Sequence, residues 1–174
     1  MQSERIKNME IRQAVIDDLP AILKIYEKAR NFMKENGNPT QWAGGYPEKE
    51  LLENDIKQKQ CYICVEDNQI VGVFVFIIGE DPTYQIIEQG AWHDSMTYGT
   101  IHRIASDGRI KGITQKCFDF CSKKNKYLRI DTHEDNLPMQ NAVQKYGFQR
   151  CGIIYVRDGS PRIAYDYLSQ DKDS

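Results

Sequence analysis

The stretch SDGRIKGITQKCFDFC, residues 106–121, constrains this chain more than any other. A strand-like segment, YGTIHRIAS, enters a polar turn holding Gly108 and Gly112. The turn passes directly into an apolar-periodic helix that runs to about Lys124. The first N–H groups of a helix lack intrahelical acceptors and, with the helix dipole, form an anion site. Gly108 and Gly112 allow close backbone approach and unusual φ, and Arg109 and Lys111 add positive charge. The segment is therefore either a phosphate-binding loop or an ordinary helix start with solvated basic residues. It matches neither GxxxxGK(S/T) nor GxGxxG, which excludes a P-loop and a dinucleotide fingerprint.

Periodicity orders the other segments around it. Residues 9–15 alternate as a strand. Asp17 or Asp18 then caps a helix with Pro20 in its first turn, apolar residues at Ile22, Ile25, Tyr26 and Ala29, and a stop at Asn36-Gly37. Residues 38–46 form a Gly-, Pro- and aromatic-rich loop, and Pro47 starts a second helix. CYICVE and QIVGVFVFII read as a hairpin turning at Asp67-Asn68. A polar and aromatic connection over 80–97 carries Trp92 and His93. YLRIDTH is a strand, and NLPMQNAVQKYGF is a helix ended by Gly147. Two last strands flank a turn at 158–161. The order β-α-α-β-β-β-α-β-α-β-β describes one α/β sheet with helices packed on it.

At 174 residues this is a single domain with room for a core, 40% hydrophobic and 28% charged, as expected of a soluble globular protein. A net charge of −2 gives no broad case for nucleic acid. No apolar run approaches the roughly 20 residues of a membrane span. Residues 1–8 read as a polar extension without an export signal, 9–168 as the domain and 169–174 as a polar tail. Five cysteines, an odd number, suit a reducing cytoplasm. Cys61 and Cys64 form CxxC, but on a strand positions three apart face opposite sides. No second Cys/His pair completes a zinc site, so the cysteines are assigned as buried thiols and no residue to a metal.

Arg109-Ile110-Lys111-Gly112-Ile113-Thr114, with its flanking strands, resembles the pyrophosphate loop (Q/R)-x-x-G-x-(G/A) of the GNAT superfamily of N-acetyltransferases. Thr114 departs from the last position. Asn136 opening one helix and Gly147-Phe148 closing it fit the same pattern, and the resemblance covers residues 9–168. It implies a single-domain GNAT-like α/β fold with a mixed, mostly antiparallel sheet and helices on both faces. It also implies acetyl-CoA, or a related acyl-CoA, as donor in a cleft between strands 98–105 and 127–133. The pantetheine arm would lie against Ile104, Ala105 and Ser106, the pyrophosphate on the amides from Arg109 to Thr114, with Asn136 completing the set.

Direct acetyl transfer needs a neutral amine, a polarised thioester and a proton for the departing thiolate. The family's acidic Tyr falls on Val143. Tyr146, three residues on, is the candidate acid; alternatively it packs beside Phe148. His102 is the candidate base, placed by alternation on the same face as Ile104, unless it is a hydrogen-bonded core histidine. His133 and Glu134 are second choices, while Asp131 balances Arg129. Trp42, Tyr46, Trp92 and Tyr155 are assigned to the acceptor pocket by cation–π contact, or else cap sheet edges; His93, Asp158 and Tyr165 are similar candidates. The expectation is a cytoplasmic N-acetyltransferase, monomer or homodimer, acting on a primary amine of a small molecule or a protein, without nucleic acid or membrane. The rival is a non-catalytic acyl-CoA-binding module.

Overall fold

The computed structural model describes residues 9–170; residues 1–8 and 171–174, in the expected extension and tail, lie outside the described residues. The elements are β1 (Glu10–Gln13), α1 (Leu19–Glu35), α2 (Lys49–Lys57), β2 (Cys61–Glu66), β3 (Gln69–Ile78), β4 (Gly99–Ser106), α3 (Ile113–Lys124), β5 (Tyr127–Thr132), α4 (Leu137–Tyr146), β6 (Gln149–Tyr155) and β7 (Pro161–Leu168). Their order is the one read from periodicity. The strands form a sheet in the order β1-β2-β3-β4-β5-β7-β6. The β4–β5 pair is parallel, while β1–β2, β2–β3, β5–β7 and β6–β7 are antiparallel.

Local chemistry explains the joints. Asp67 and Asn68 adopt φ of 51° and 62°, the paired positive values that a two-residue hairpin needs. Ahead of α1, a short 3-10 turn spans Ile16–Asp18. Asp18 sits at the helix N-cap position but does not cap α1 with its side chain. Its carboxylate instead accepts from the Val15 N–H at 2.8 Å and from the Arg12 guanidinium at 3.0 and 3.1 Å. Helix α2 starts at Lys49 rather than at Pro47, with Glu48 in its N-cap position.

The chain divides into two compact units, each with its own core. Residues 9–76 and His102–Cys117 form the first. There Ile22, Ile25 and Tyr26 of α1 and Leu52 of α2 pack with Cys61, Ile63 and Val73. Each fully buried side chain of this size contributes about 1.5–3 kcal/mol. Gly72 admits close packing: a Cβ there would lie 3.1 Å from Ile113 Cγ2 and 3.2 Å from Cys64 Sγ. Ile77–Ile101 and residues 118–170 form the second unit, where Tyr84, Tyr98, Tyr127, Cys151, Ile154 and Ala164 cluster. All five cysteines are buried and reduced, with the Cys64 and Cys117 sulfurs 3.7 Å apart.

Candidate functional site

Among the described residues, β4 pairs with β5 only at Gly99↔Leu128 and Thr100↔Arg129, although β4 runs on to Ser106. Three residues beyond the last pair, Arg103 takes φ of 51°, the left-handed region, in the middle of the strand. That turn breaks strict alternation, so the shared face expected for His102 and Ile104 does not follow from their spacing. Both are half-buried, as is Ser106, while Ala105 is buried.

Side chains of the first unit hold this irregularity in place. Arg103 donates through Nε and Nη2 to both oxygens of Asp55, at 3.1 and 3.0 Å, and through Nη1 to the Tyr46 hydroxyl at 3.1 Å. Its carbonyl accepts from the Tyr26 hydroxyl at 2.6 Å. Asp55 is fully buried and takes a further bond from Gln60. Burial alone would lower the Arg103 pKa, but Tyr46 and Asp55 outweigh it and raise it, so the cation is secure. The sequence did not single out Arg103, Asp55 or Tyr26; the available signal was a charged residue between His102 and Ile104 on a strand.

The loop after β4 is anchored from both sides. Asp107 N–H donates to the Val71 carbonyl at 3.1 Å, and Ile110 and Ile113 are buried. Gly108 and Gly112 have φ of 82° and 86°, values that disfavour other residues. The Gly112 carbonyl accepts from Lys116 N–H, so α3 begins at Ile113 and its first N–H groups precede any intrahelical acceptor. Thr114 is half-buried in that first turn, and Lys111 is exposed beside it. Arg109 departs from expectation. Its N–H and Nε donate to Asp107, and its remaining guanidinium nitrogens reach Gln69 and the Ile70 carbonyl. Both the amide and the charge assigned to the pyrophosphate are thus directed to neighbours, leaving Lys111 and the amides that follow it.

Elsewhere the predicted residues have structural partners. Asn136 is the N-cap of α4, its Oδ1 accepting from Met139 N–H at 3.1 Å. Val143 is fully buried. Tyr146 donates to Asp119 at 2.7 Å, and its ring packs with Phe118, Phe148 and Tyr167. Burial, with Asp119, pushes its phenol well above the ordinary range, which weakens it as an acid. Trp42 packs edge-on against Tyr26, with ring centroids 5.5 Å apart, and lines a cavity of about 130 Å³ with Arg30, Lys34 and Asn38. The company of two cations argues against cation–π capture of an amine at this cavity. Tyr46 meets β4 through Arg103. Trp92 stacks on Arg129, 4.1 Å from ring centre to guanidinium carbon, and donates to the Tyr84 carbonyl. Tyr155 donates to Glu88 at the surface.

His133 accepts from Asp135 N–H, and Asp131 accepts from the Tyr84 hydroxyl at 2.6 Å. Arg129, assigned to balance Asp131, instead lies over the Trp92 and Tyr98 rings and donates to the Asp94 carbonyl. Asp158 braces its turn by accepting from Ser160 N–H, and Tyr165 is buried.

A sheet of this order, with a parallel β4–β5 pair and a glycine-flexed loop at the start of α3, defines the class: an acyl-CoA-dependent acetyltransferase. The sequence matches no family model and no curated protein. It does match solved structures. A GNAT-family acetyltransferase from Streptococcus agalactiae is 30% identical, with 94% of this chain and 96% of that one covered and a TM-score of 0.85. A protein from Staphylococcus aureus assigned as an acetyltransferase is 25% identical, with 91% and 97% covered and a TM-score of 0.67. A GNAT-family acetyltransferase from Listeria monocytogenes shares the fold at 20% identity, 92% and 94% coverage and a TM-score of 0.69. The chain belongs to the GNAT family of acetyltransferases.

Proposed function

We propose that this protein transfers an acetyl group from acetyl-CoA directly to a primary amine, of a small molecule or of a protein. The observation that carries the donor is the loop 108–114. Positive φ at Gly108 and Gly112, exposed Lys111 and the first amides of α3 suit a pyrophosphate. Ile104, Ala105 and Ser106 follow the turned Arg103 on β4, beyond the last β4–β5 pair, and offer backbone groups to the pantetheine amides. The half-buried His102 takes a proton from the ammonium form of the acceptor. The amine nitrogen then forms the new amide bond as the thioester C–S bond breaks, shedding a second proton, and the sulfur leaves as a thiolate that takes one up. Tyr146, held by Asp119, is a poor source of that proton, so water relays to the sulfur the proton that the nitrogen sheds. Of the aromatic residues assigned to the acceptor, Tyr46 is tied to β4 through Arg103 and has the firmest claim.

A second reading has a specific observation in its favour. Val143 is buried where the family's Tyr stands, and Tyr146 is engaged elsewhere, which suits an acyl-CoA-binding module without turnover. Incubation with acetyl-CoA and a panel of polyamines, amino acids, aminoglycosides and peptides, followed as free thiol, separates the two. Amine-dependent thiol release that falls at least about tenfold in His102→Gln supports the enzyme. Acetyl-CoA binding with no release across the panel supports the module.

A further inference from the structure

We infer that His93, Cys151 and Asp166 form a binding site for a divalent transition metal of the zinc class. Three elements of the second unit bring these side chains together. The connection before β4 lies along β6, with Glu88 and Ile153 exchanging backbone hydrogen bonds of 2.9 and 2.8 Å. Gly90 makes that approach possible, since a Cβ there would fall 1.9 Å from the Cys151 carbonyl oxygen. Cys151 is the extra residue of a β-bulge: Arg150 pairs with Tyr165 and Gly152 with Ala164. A bulge re-aims a side chain, here toward Asp166 on β7.

The donor atoms converge. His93 Nδ1 lies 2.7 Å from Asp166 Oδ1 and 3.3 Å from Cys151 Sγ, and one ligand atom from each residue lies within 4.8 Å of the others. A tetrahedral zinc ion with bonds of about 2.0–2.3 Å separates its ligands by about 3.3–3.6 Å. The His93–Cys151 separation is already near this spacing, and the His93–Asp166 pair must open by about 0.6 Å to admit the ion. Nitrogen, sulfur and carboxylate oxygen together select zinc-like over magnesium-like cations. Asp166 is oriented by the Tyr127 hydroxyl at 2.6 Å and the His93 N–H at 2.8 Å, the kind of outer support that metal ligands receive. Cys151 and Asp166 are buried, while His93 and Asp166 line a cavity of about 670 Å³ with Tyr127, Gln149 and Tyr167. Arg129, the nearby cation, is held on the rings of Trp92 and Tyr98. On binding, the thiol proton leaves to solvent, and the proton on His93 Nδ1 is exchanged through solvent for one on Nε2, so one proton is released overall.

Cobalt(II), a spectroscopic substitute for zinc, provides the test on the intact apoprotein. The expected result is stoichiometric binding with a near-ultraviolet thiolate-to-cobalt band and visible d–d bands of tetrahedral intensity, all displaced by zinc. Cys151→Ser should abolish the near-ultraviolet band. His93→Gln, a change at a half-exposed side chain that spares the core, should weaken binding by at least about tenfold. The assignment is overturned by absence of binding, by a thiolate band that survives Cys151→Ser, or by undiminished affinity in His93→Gln with its melting temperature unchanged.

Discussion

Arg103 is where one residue settles the most. An arginine at φ 51° pairs with an aspartate that has no exposure to water. Removing one partner of a buried pair strands the other charge, and Arg103→Ala is expected to cost about 3–5 kcal/mol in urea unfolding. Arg103→Gly loses the same pair but suits the positive φ, and should recover about 1 kcal/mol relative to alanine. Equal losses in the two variants would show that the backbone turn is not strained. Nothing in the linear pattern of GTIHRIAS announces that turn, because a turned residue leaves the residue types in place while changing which way they face. The residues around it show the same division. The spacing of His102 and Ile104 predicted a common face, and the turn at Arg103 removes the basis for it.

At the level of elements, Asp18 ties β1 to the start of α1. Burial alone would raise its pKa, but the hydrogen bonds from Arg12 and the Val15 N–H outweigh this and lower it. A carboxyl depressed on folding contributes stability that is present above the ordinary carboxylate pKa and lost as pH falls through the folded value. Asp18→Asn should therefore cost about 1–2 kcal/mol at neutral pH, and the gap to wild type should close as pH drops below about 4. A gap independent of pH would assign the cost to shape rather than charge. The order of elements was legible because apolar periods of two and of 3.6 alternate cleanly along the chain, and the Asp67-Asn68 turn was legible from its residue types. What Asp18 does was not, since an acid before an apolar helix reads as a cap unless the position of Arg12 is known. The partners of Arg109 were hidden for a related reason: sequence shows a cation in the loop, but not that Asp107, two residues back, pairs with it.

For the whole molecule, family membership and the loop before α3 converge on acyl-CoA, while the acceptor rests on side chains that the loops position. The donor was readable because a helix start and two glycines are local features. The contacts of Trp42, Trp92 and Tyr155 were not readable, because their partners Tyr26, Arg129 and Glu88 lie elsewhere along the chain. Residues 108–114 are proposed to hold the pyrophosphate of the donor, and thermal unfolding with and without acetyl-CoA is the decisive measurement. Wild type should be stabilised by about 2.7 kcal/mol at a hundredfold excess over the dissociation constant. Gly112→Asp, which puts a carboxylate and a strained φ in the loop, should lose that stabilisation, and Lys111→Glu, at an exposed position, should weaken it without lowering the unliganded melting temperature. Wild type that gains nothing from acetyl-CoA, or a Gly112→Asp variant that gains as much as wild type, would contradict the claim.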